Sequence, residues 1–262
     1  MVVAFSGGVD SSLLLAATHE VLGSKTVAVT AVSDIHPRRE TDKAQAFARE
    51  KKIRHLLLPL RETGLPGFAA NPADRCYHCK RHLFEALLHV AEQMGISHVV
   101  HGANLDDVND YRPGMRAAQE MNIRSPLIEA KMGKADVRFL ARQMGLAFWN
   151  QPAMPCLATR IPYGTPITSE KLKMVDRAET FLLNMGIEEC RVRHHGTVAR
   201  LELNTTDMAR ILNEEVRNLI VAELRDIGFY HVALDLGGYV SGGMNRVLAP
   251  EDISRDKGVI VS

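Results

Sequence analysis

The chain of 262 residues is poor in cysteine, with four, and in aromatic side chains, at 5% with a single tryptophan. Four irregularly spaced cysteines are too few for the disulfide framework of a small secreted scaffold. No apolar run approaches the length of a membrane-crossing helix, and no signal-peptide pattern opens the chain. Excess charge is also missing: 32 Lys and Arg face 31 Asp and Glu, a formal net charge of +1. That balance, with so few stacking rings, argues against a broad nucleic-acid surface, although a local basic patch survives the averaging. What remains is a globular composition, 46% apolar and 24% charged, long enough for one large domain or two modest ones. A cytoplasmic enzyme without membrane attachment is the expectation. The first residues already read as strand, which leaves room for a preceding helix in a longer natural form.

The segment MVVAFSGGVDSS is the most informative. Val2 to Phe5 are apolar and partly β-branched, as a buried parallel strand requires. Ser6-Gly7-Gly8-Val9 breaks the run, and Asp10-Ser11-Ser12 leads into a helical stripe at Leu13, Leu14, Leu15 and Ala17. A strand, a glycine turn and a helix N-terminus together hold phosphate, because free backbone N–H groups and the helix dipole both favour an anion. Gly7 and Gly8 let the backbone approach that anion, the serines add hydroxyl donors, and Asp10 is a candidate contact for Mg²⁺. An ordinary βα turn with a polar cap is the plainer alternative. The loop is neither G-x-x-x-x-G-K-[ST] nor G-x-G-x-x-G. SGGVDSS instead resembles the PP-loop of the ATP pyrophosphatase superfamily. That resemblance implies attack at the α-phosphate of ATP, an adenylated oxygen on the substrate, release of pyrophosphate and displacement of AMP.

Apolar runs at 26–32, 53–58 and 98–100 predict further parallel strands, with helices at 39–52, 80–94, 116–121 and 134–144. The βαβα rhythm predicts an α/β fold, a parallel sheet with helices on both faces, whose ligands sit at the carboxyl ends of the strands. Ser33, Gly102 and Asn104 follow such ends and join Ser6–Ser12 as expected ATP contacts. An Asx-rich turn is the plainer reading of Asn104 and Asp107. From about residue 153 the texture changes through PCLATRIPYGTPIT. A smaller α+β domain is expected there, with a helix at 169–185, a hairpin at 189–203, one helix at 208–227 and a last strand at 230–234. The expected domains are therefore 1–152 and 153–262.

Cys76 and Cys79 stand three apart at a helix start beside Arg75 and Lys80, on one face and in a setting that favours thiolate. They read as half a zinc site, a redox dithiol, two ligands of an iron–sulfur cluster with Cys156 as the third, or two idle thiols. Cys190 reads as structural. Arg191 and Arg193 alternate along a strand and share a face, an arrangement suited to a phosphate or to a solvated edge. Glu179 and Glu202 are candidates for the same cleft. His194 and His195 read as surface residues, and Trp149 as core.

NPADRCYHCK, GANLDDVNDYRPG, RSPLIEA, PCLATRIPYGTPIT and the C-terminal GYVSGGMNR resemble, in this order and over essentially the whole chain, the LarE family of ATP-dependent sulfur transferases. The resemblance implies a PP-loop fold and a small nucleotide substrate, pyridinium-3,5-biscarboxylic acid mononucleotide. It further implies adenylation of that substrate's carboxylates by Mg²⁺·ATP, and transfer of sulfur to both. It implies Cys76, Cys79 and Cys156 as holders of a [4Fe-4S] cluster fed by sulfide or a sulfur donor, and Arg191 and Arg193 as substrate-phosphate contacts. A homo-oligomer built around the C-terminal domain is implied as well. Members with a cysteine only at the position of Cys156 spend its sulfur and leave dehydroalanine, which is the alternative here. His101 stands where the family pattern has an acidic residue. A PP-loop tRNA thiolase is a rival reading that would need a basic, aromatic RNA surface, and a nucleotide-binding module without turnover is a third.

Overall fold

Alternating burial explains the first sheet. In the computed structural model, which describes residues 1–108, 110–151, 155–240 and 243–248, Val3, Ala28 and Val100 point into one apolar cluster, and Val2, Val27, Val29 and Val99 into another. A strand with both faces buried must be apolar at every position, and these are. The strands are β1 (Val2–Ala4), β2 (Val27–Val32), β3 (Arg54–Pro59) and β4 (Val99–His101), all parallel in the order β3-β2-β1-β4.

The helices divide between the two faces. Residues of α1 (Val9–Leu22), α2 (Arg38–Glu50) and α7 (Lys134–Gln143) fill the first cluster. Those of α4 (Arg75–Gln93) and α5 (Pro113–Glu120) fill the second. Two four-residue helices, α3 (Pro66–Ala69) and α6 (Pro126–Glu129), lie in the connections. The helix expected from residue 80 starts at Arg75, so both cysteines of the CxxC pair lie inside its first turns.

The described chain divides into two compact units. The first holds residues 1–68 and 73–155, and the second holds residues 69–72 and 156–248. The domain boundary expected at 152/153 lies outside the described residues. In the second unit, β5 (Cys190–His195) and β6 (Val198–Leu203) form an antiparallel hairpin, and β7 (His231–Leu234) adds parallel to β6, giving a mixed sheet. The hairpin turns at Gly196, whose φ of 65° suits glycine. α8 (Ser169–Asn184) and the crossover helices cover one face around Leu182, Val192, Leu201 and Leu224.

Two expectations are corrected here. The single helix expected at 208–227 is two, α9 (Thr205–Ile211) and α10 (Glu214–Ile227). Apolar periodicity runs through Ile211-Leu212, but Asn213 accepts from the N–H groups of Glu215 and Val216 and so starts a new helix. His194 is buried at 4% exposure rather than superficial, its ring edge-on to Phe229 at 5.4 Å, whereas His195 is exposed. The register puts His194 among the inward-facing residues of β5, which alternation alone cannot assign when both neighbours are arginine or histidine.

Candidate functional site

The turn after β1 is built by its own serines. Ser11 Oγ donates to the Gly8 carbonyl at 3.0 Å, accepts from Ser6 N–H at 3.3 Å and lies 3.1 Å from Ser6 Oγ. Gly7 takes φ of 80°, a left-handed conformation that favours glycine, although an added Cβ would meet Ala44 of α2 only at ordinary contact, 3.4 Å. The N–H groups of α1's first turn have no carbonyl to bond within the helix and stay available to an anion. Ser12 Oγ is fully buried and has no hydrogen-bond partner among the described residues.

β4 meets this loop from the side. A Cβ on Gly102 would lie 2.8 Å from Ser11 N and 2.9 Å from its Cα, so only glycine allows the strand end to pass. Two residues on, Asn104 is 2% exposed and donates its amide N–H to Asp10 Oδ1 at 3.0 Å. Its backbone N–H reaches Asp107 Oδ2, and its Oδ1 accepts from Asp106 N–H. The turn is thus Asx-rich, as the plainer reading had it, and it also holds the carboxylate of the glycine loop. Asp10 Oδ2 meets the ammonium of Lys134, the first residue of α7. Sequence reading placed that helix but missed Lys134. The available signal was its position: a cation in the first turn opposes the helix dipole and asks for an anionic partner from elsewhere.

Ser33 follows β2, its hydroxyl 3.3 Å from His36 Nδ1. Burial, and then the charge of Lys80, push His36 down to about 4. The same two causes push His101, at the end of β4, down to about 3. Where the family pattern has an acid, this chain holds a neutral ring, hydrogen-bonded to Ser125 Oγ at 2.7 Å and edge-on to Phe84.

Cys76 and Cys79 are both half-buried in the first turns of α4, and none of the four cysteines is in a disulfide. Cys190 is buried in the second unit's core. Among the described residues, no three His, Cys, Asp or Glu side chains gather as a metal site.

In the second unit, Cys156 precedes a short 3₁₀ turn at Leu157–Arg160, and its carbonyl accepts from Thr159 Oγ1 and Arg160 Nη1. Arg160 grips Glu179 with both arms, at 2.8 and 2.9 Å, with the two side chains 0% and 1% exposed. Glu179 also accepts from Val192 N–H. Arg193 forms the same fork with Glu202, at 2.9 and 2.7 Å, and donates to the Thr159 carbonyl. Arg200 also reaches Glu202. Arg191 donates to the Cys190 carbonyl and stands 4.8 Å over the Tyr239 ring. Burial, and then Arg160, hold its pKa below the ordinary arginine value. The arginines and glutamates singled out in the sequence therefore do gather around the Cys156 turn, with Arg160 among them and Arg200 as an unforeseen fourth cation. Part of their charge is spent on one another.

No family model matches the chain. It is 43% identical over 246 residues to the uncharacterized protein slr1717 of Synechocystis, a match covering 94% of this chain and 92% of that one. To the pyridinium-3,5-bisthiocarboxylic acid mononucleotide synthase of Lactiplantibacillus plantarum it is 37% identical over 255 residues, 96% of this chain and 91% of that one. A more distant similarity, 27% over 199 residues, links it to the glutamine-hydrolyzing GMP synthase of Aeropyrum pernix, across 69% of this chain and 38% of that protein.

Proposed function

This chain belongs to the family of the pyridinium-3,5-bisthiocarboxylic acid mononucleotide synthases, and we propose that it carries out their reaction with ATP. The observation that carries the reading is the glycine loop with its carboxylate held by Asn104 and Lys134. Ser6, Gly7, Gly8, Val9, Ser11 and Ser12 take the pyrophosphate portion of ATP on backbone and hydroxyl donors. Lys134 supplies a cation beside them, and Asp10 is the group on the loop that fits Mg²⁺. Ser33, Gly102 and Asn104 border the nucleotide. A carboxylate of pyridinium-3,5-biscarboxylic acid mononucleotide attacks the α-phosphorus, pyrophosphate leaves, and the acyl adenylate then accepts sulfur and expels AMP. Arg191 and Arg193, the latter directed by Glu202, receive the substrate phosphate, with Glu179 lining the same cleft through Arg160.

For the sulfur, we take Cys76, Cys79 and Cys156 as the residues that would hold a [4Fe-4S] cluster. Two half-buried thiols three residues apart on one helix are a chelating pair, and the third stands in an electropositive turn beside Arg160. Bound by three thiolates, such a cluster supplies one iron with an open position for exogenous sulfide. Small sulfide or a sulfur-donor protein would renew the supply. A cytoplasmic homo-oligomer is the setting in which we place the enzyme.

Two assays test this together. With ATP and the dicarboxylate mononucleotide, the anaerobically purified protein should release AMP and pyrophosphate, and its iron and acid-labile sulfide should vanish in Cys156→Ala. Pyrophosphate release without iron, with Cys156 having lost the mass of hydrogen sulfide, would replace the cluster with sacrificial transfer. Absence of both releases would end the reading.

A further inference from the structure

The apolar stripe of α4 runs past the end of the sheet. Ala91, Leu87 and Phe84 are buried at helical spacing, and the stripe continues through Lys80 to Cys76. Phe84 lies level with the last residue of β4, its ring 5.4 Å from that of His101. Lys80 therefore emerges just beyond the carboxyl ends of the strands, where an open parallel sheet takes its ligands. Its stem is seated. A Cβ on Gly114 would lie 2.7 Å from Lys80 Cγ and 3.4 Å from the Cys76 carbonyl, so glycine in the first turn of α5 makes room for it. Its ammonium lies 5.8 Å from the Phe84 ring centroid.

The surroundings give this cation no counter-charge. Among the described residues, no carboxylate stands within ion-pair reach of Lys80, and its charge acts instead on His36 and His101. Burial holds the His101 ring, edge-on to Phe84, in its neutral form, so it adds no second positive charge beside Lys80. The first turn of α5 adds the positive end of its dipole. An exposed ammonium on a seated stem, beside the Phe84 ring and with no carboxylate in ion-pair reach among the described residues, is a receptor for one compact anion. The phosphates already have the α1 N-terminus and Lys134. The anion still needing a partner is a carboxylate, and Lys80 stands one helical turn from Cys76.

We propose that Lys80 binds a carboxylate of the substrate, in a subsite walled by Phe84 and His101. This deepens the proposed function and rests on it for the identity of the ligand. The test is direct titration of pyridinium-3,5-biscarboxylic acid mononucleotide into the full chain, with a non-hydrolysable ATP analogue titrated separately. Lys80→Met should weaken dicarboxylate binding on the order of ten- to hundredfold, leave the ATP analogue bound as before and leave the melting temperature unchanged. Lys80→Arg should restore part of the loss, because it keeps the charge. Unchanged dicarboxylate binding in Lys80→Met would overturn the subsite, as would an equal loss for the ATP analogue, which would make Lys80 a phosphate contact. Tight dicarboxylate binding by the natural chain without AMP release would refute the proposed reaction and leave the subsite standing. No dicarboxylate binding by the natural chain would refute both.

Discussion

Replacing Gly102 by alanine adds one methyl group at the tightest backbone crossing of the candidate site. The new Cβ would meet Ser11 N at 2.8 Å, Ser11 Cα at 2.9 Å and the Asp10 carbonyl carbon at 3.1 Å, where ordinary contact begins near 3.4 Å. All three atoms are backbone, so no side chain can swing aside, and about 0.6 Å of movement must be shared between β4 and the first turn of α1. Overpacking of this kind costs about 1–3 kcal/mol of stability. The movement falls on the N–H groups proposed to hold pyrophosphate. Since about 1 Å of misplacement costs on the order of a hundredfold in function, about tenfold weaker binding of an ATP analogue is expected. Calorimetric titration of the analogue, paired with a urea melt, measures both. Gly64→Ala is the control: nothing lies within 4 Å of its Cβ position and its φ is unexceptional, so stability should hold or rise by a few tenths of a kcal/mol up to about 1. If Gly102→Ala binds the analogue like the natural chain, the α1 N-terminus is not the anion site and the assignment of the loop fails.

Glu179→Ala strands the Arg160 guanidinium, whose side chain is 0% exposed, and should cost about 3–5 kcal/mol in a urea melt; a loss below about 1 kcal/mol would mean that water or another anion reaches Arg160. Lys134→Met breaks an ion pair whose members are 31% and 22% exposed, so stability should change by less than about 1 kcal/mol, while ATP-analogue affinity falls about tenfold. An unchanged affinity would confine Lys134 to holding Asp10. His36 and His101 titrate at about 4 and about 3 in the folded chain against an ordinary 6.5, so below 6.5 the unfolded chain takes up protons that the folded chain refuses. Stability present above pH 6.5 should therefore fall as pH drops from there toward 4 and 3, by up to about 1.4 kcal/mol per pH unit for each histidine. His101→Gln should flatten that fall, and an unaltered slope would place the lost protons elsewhere.

The parallel sheet was readable because burial leaves apolar runs in β1, β2 and β4, and the half-exposed edge strand β3 still carries Leu56-Leu57-Leu58: all four expected strands form, each shifted by no more than a residue or two. Helix ends were less readable. α4 begins five residues before its expected start because Arg75 and Cys76 carry no apolar signal. The α9–α10 break was hidden because a capping asparagine inside a continuous apolar rhythm looks like any exposed polar residue. Neither could residues 69–72 be assigned to the second unit from composition. Asn71 there is fully buried at φ of 58°, and its amide points at the carbonyls of Ile161, Pro162 and Thr165, some ninety residues along the chain.

The site divides the same way. The glycine loop is a local device, its serine hydrogen bonds closed between Ser6, Gly8 and Ser11, so its chemistry is written in consecutive letters. Charge partnership is not local. Lys134 reaches Asp10 across 124 positions, and Arg160 reaches Glu179 across 19. Arg191 and Arg193 share a face by strand geometry, which spacing does show. Which of them keeps charge for a ligand depends on the register that sets Arg193 beside Glu202 and on the loop that sets Tyr239 against Arg191. With Arg193 already forked on a carboxylate, an incoming phosphate there must be matched by Arg191 and by the surplus of cations over carboxylates around Glu179. Arg191→Met should therefore weaken substrate binding more than Arg193→Met, whereas Arg193→Met should lose more stability by leaving Glu202 with only Arg200. Titration of the dicarboxylate mononucleotide and urea melts of both variants read these two effects apart. The reverse order would show that Glu202 releases Arg193 to the ligand, and that the fork seen here is a latch rather than a brace.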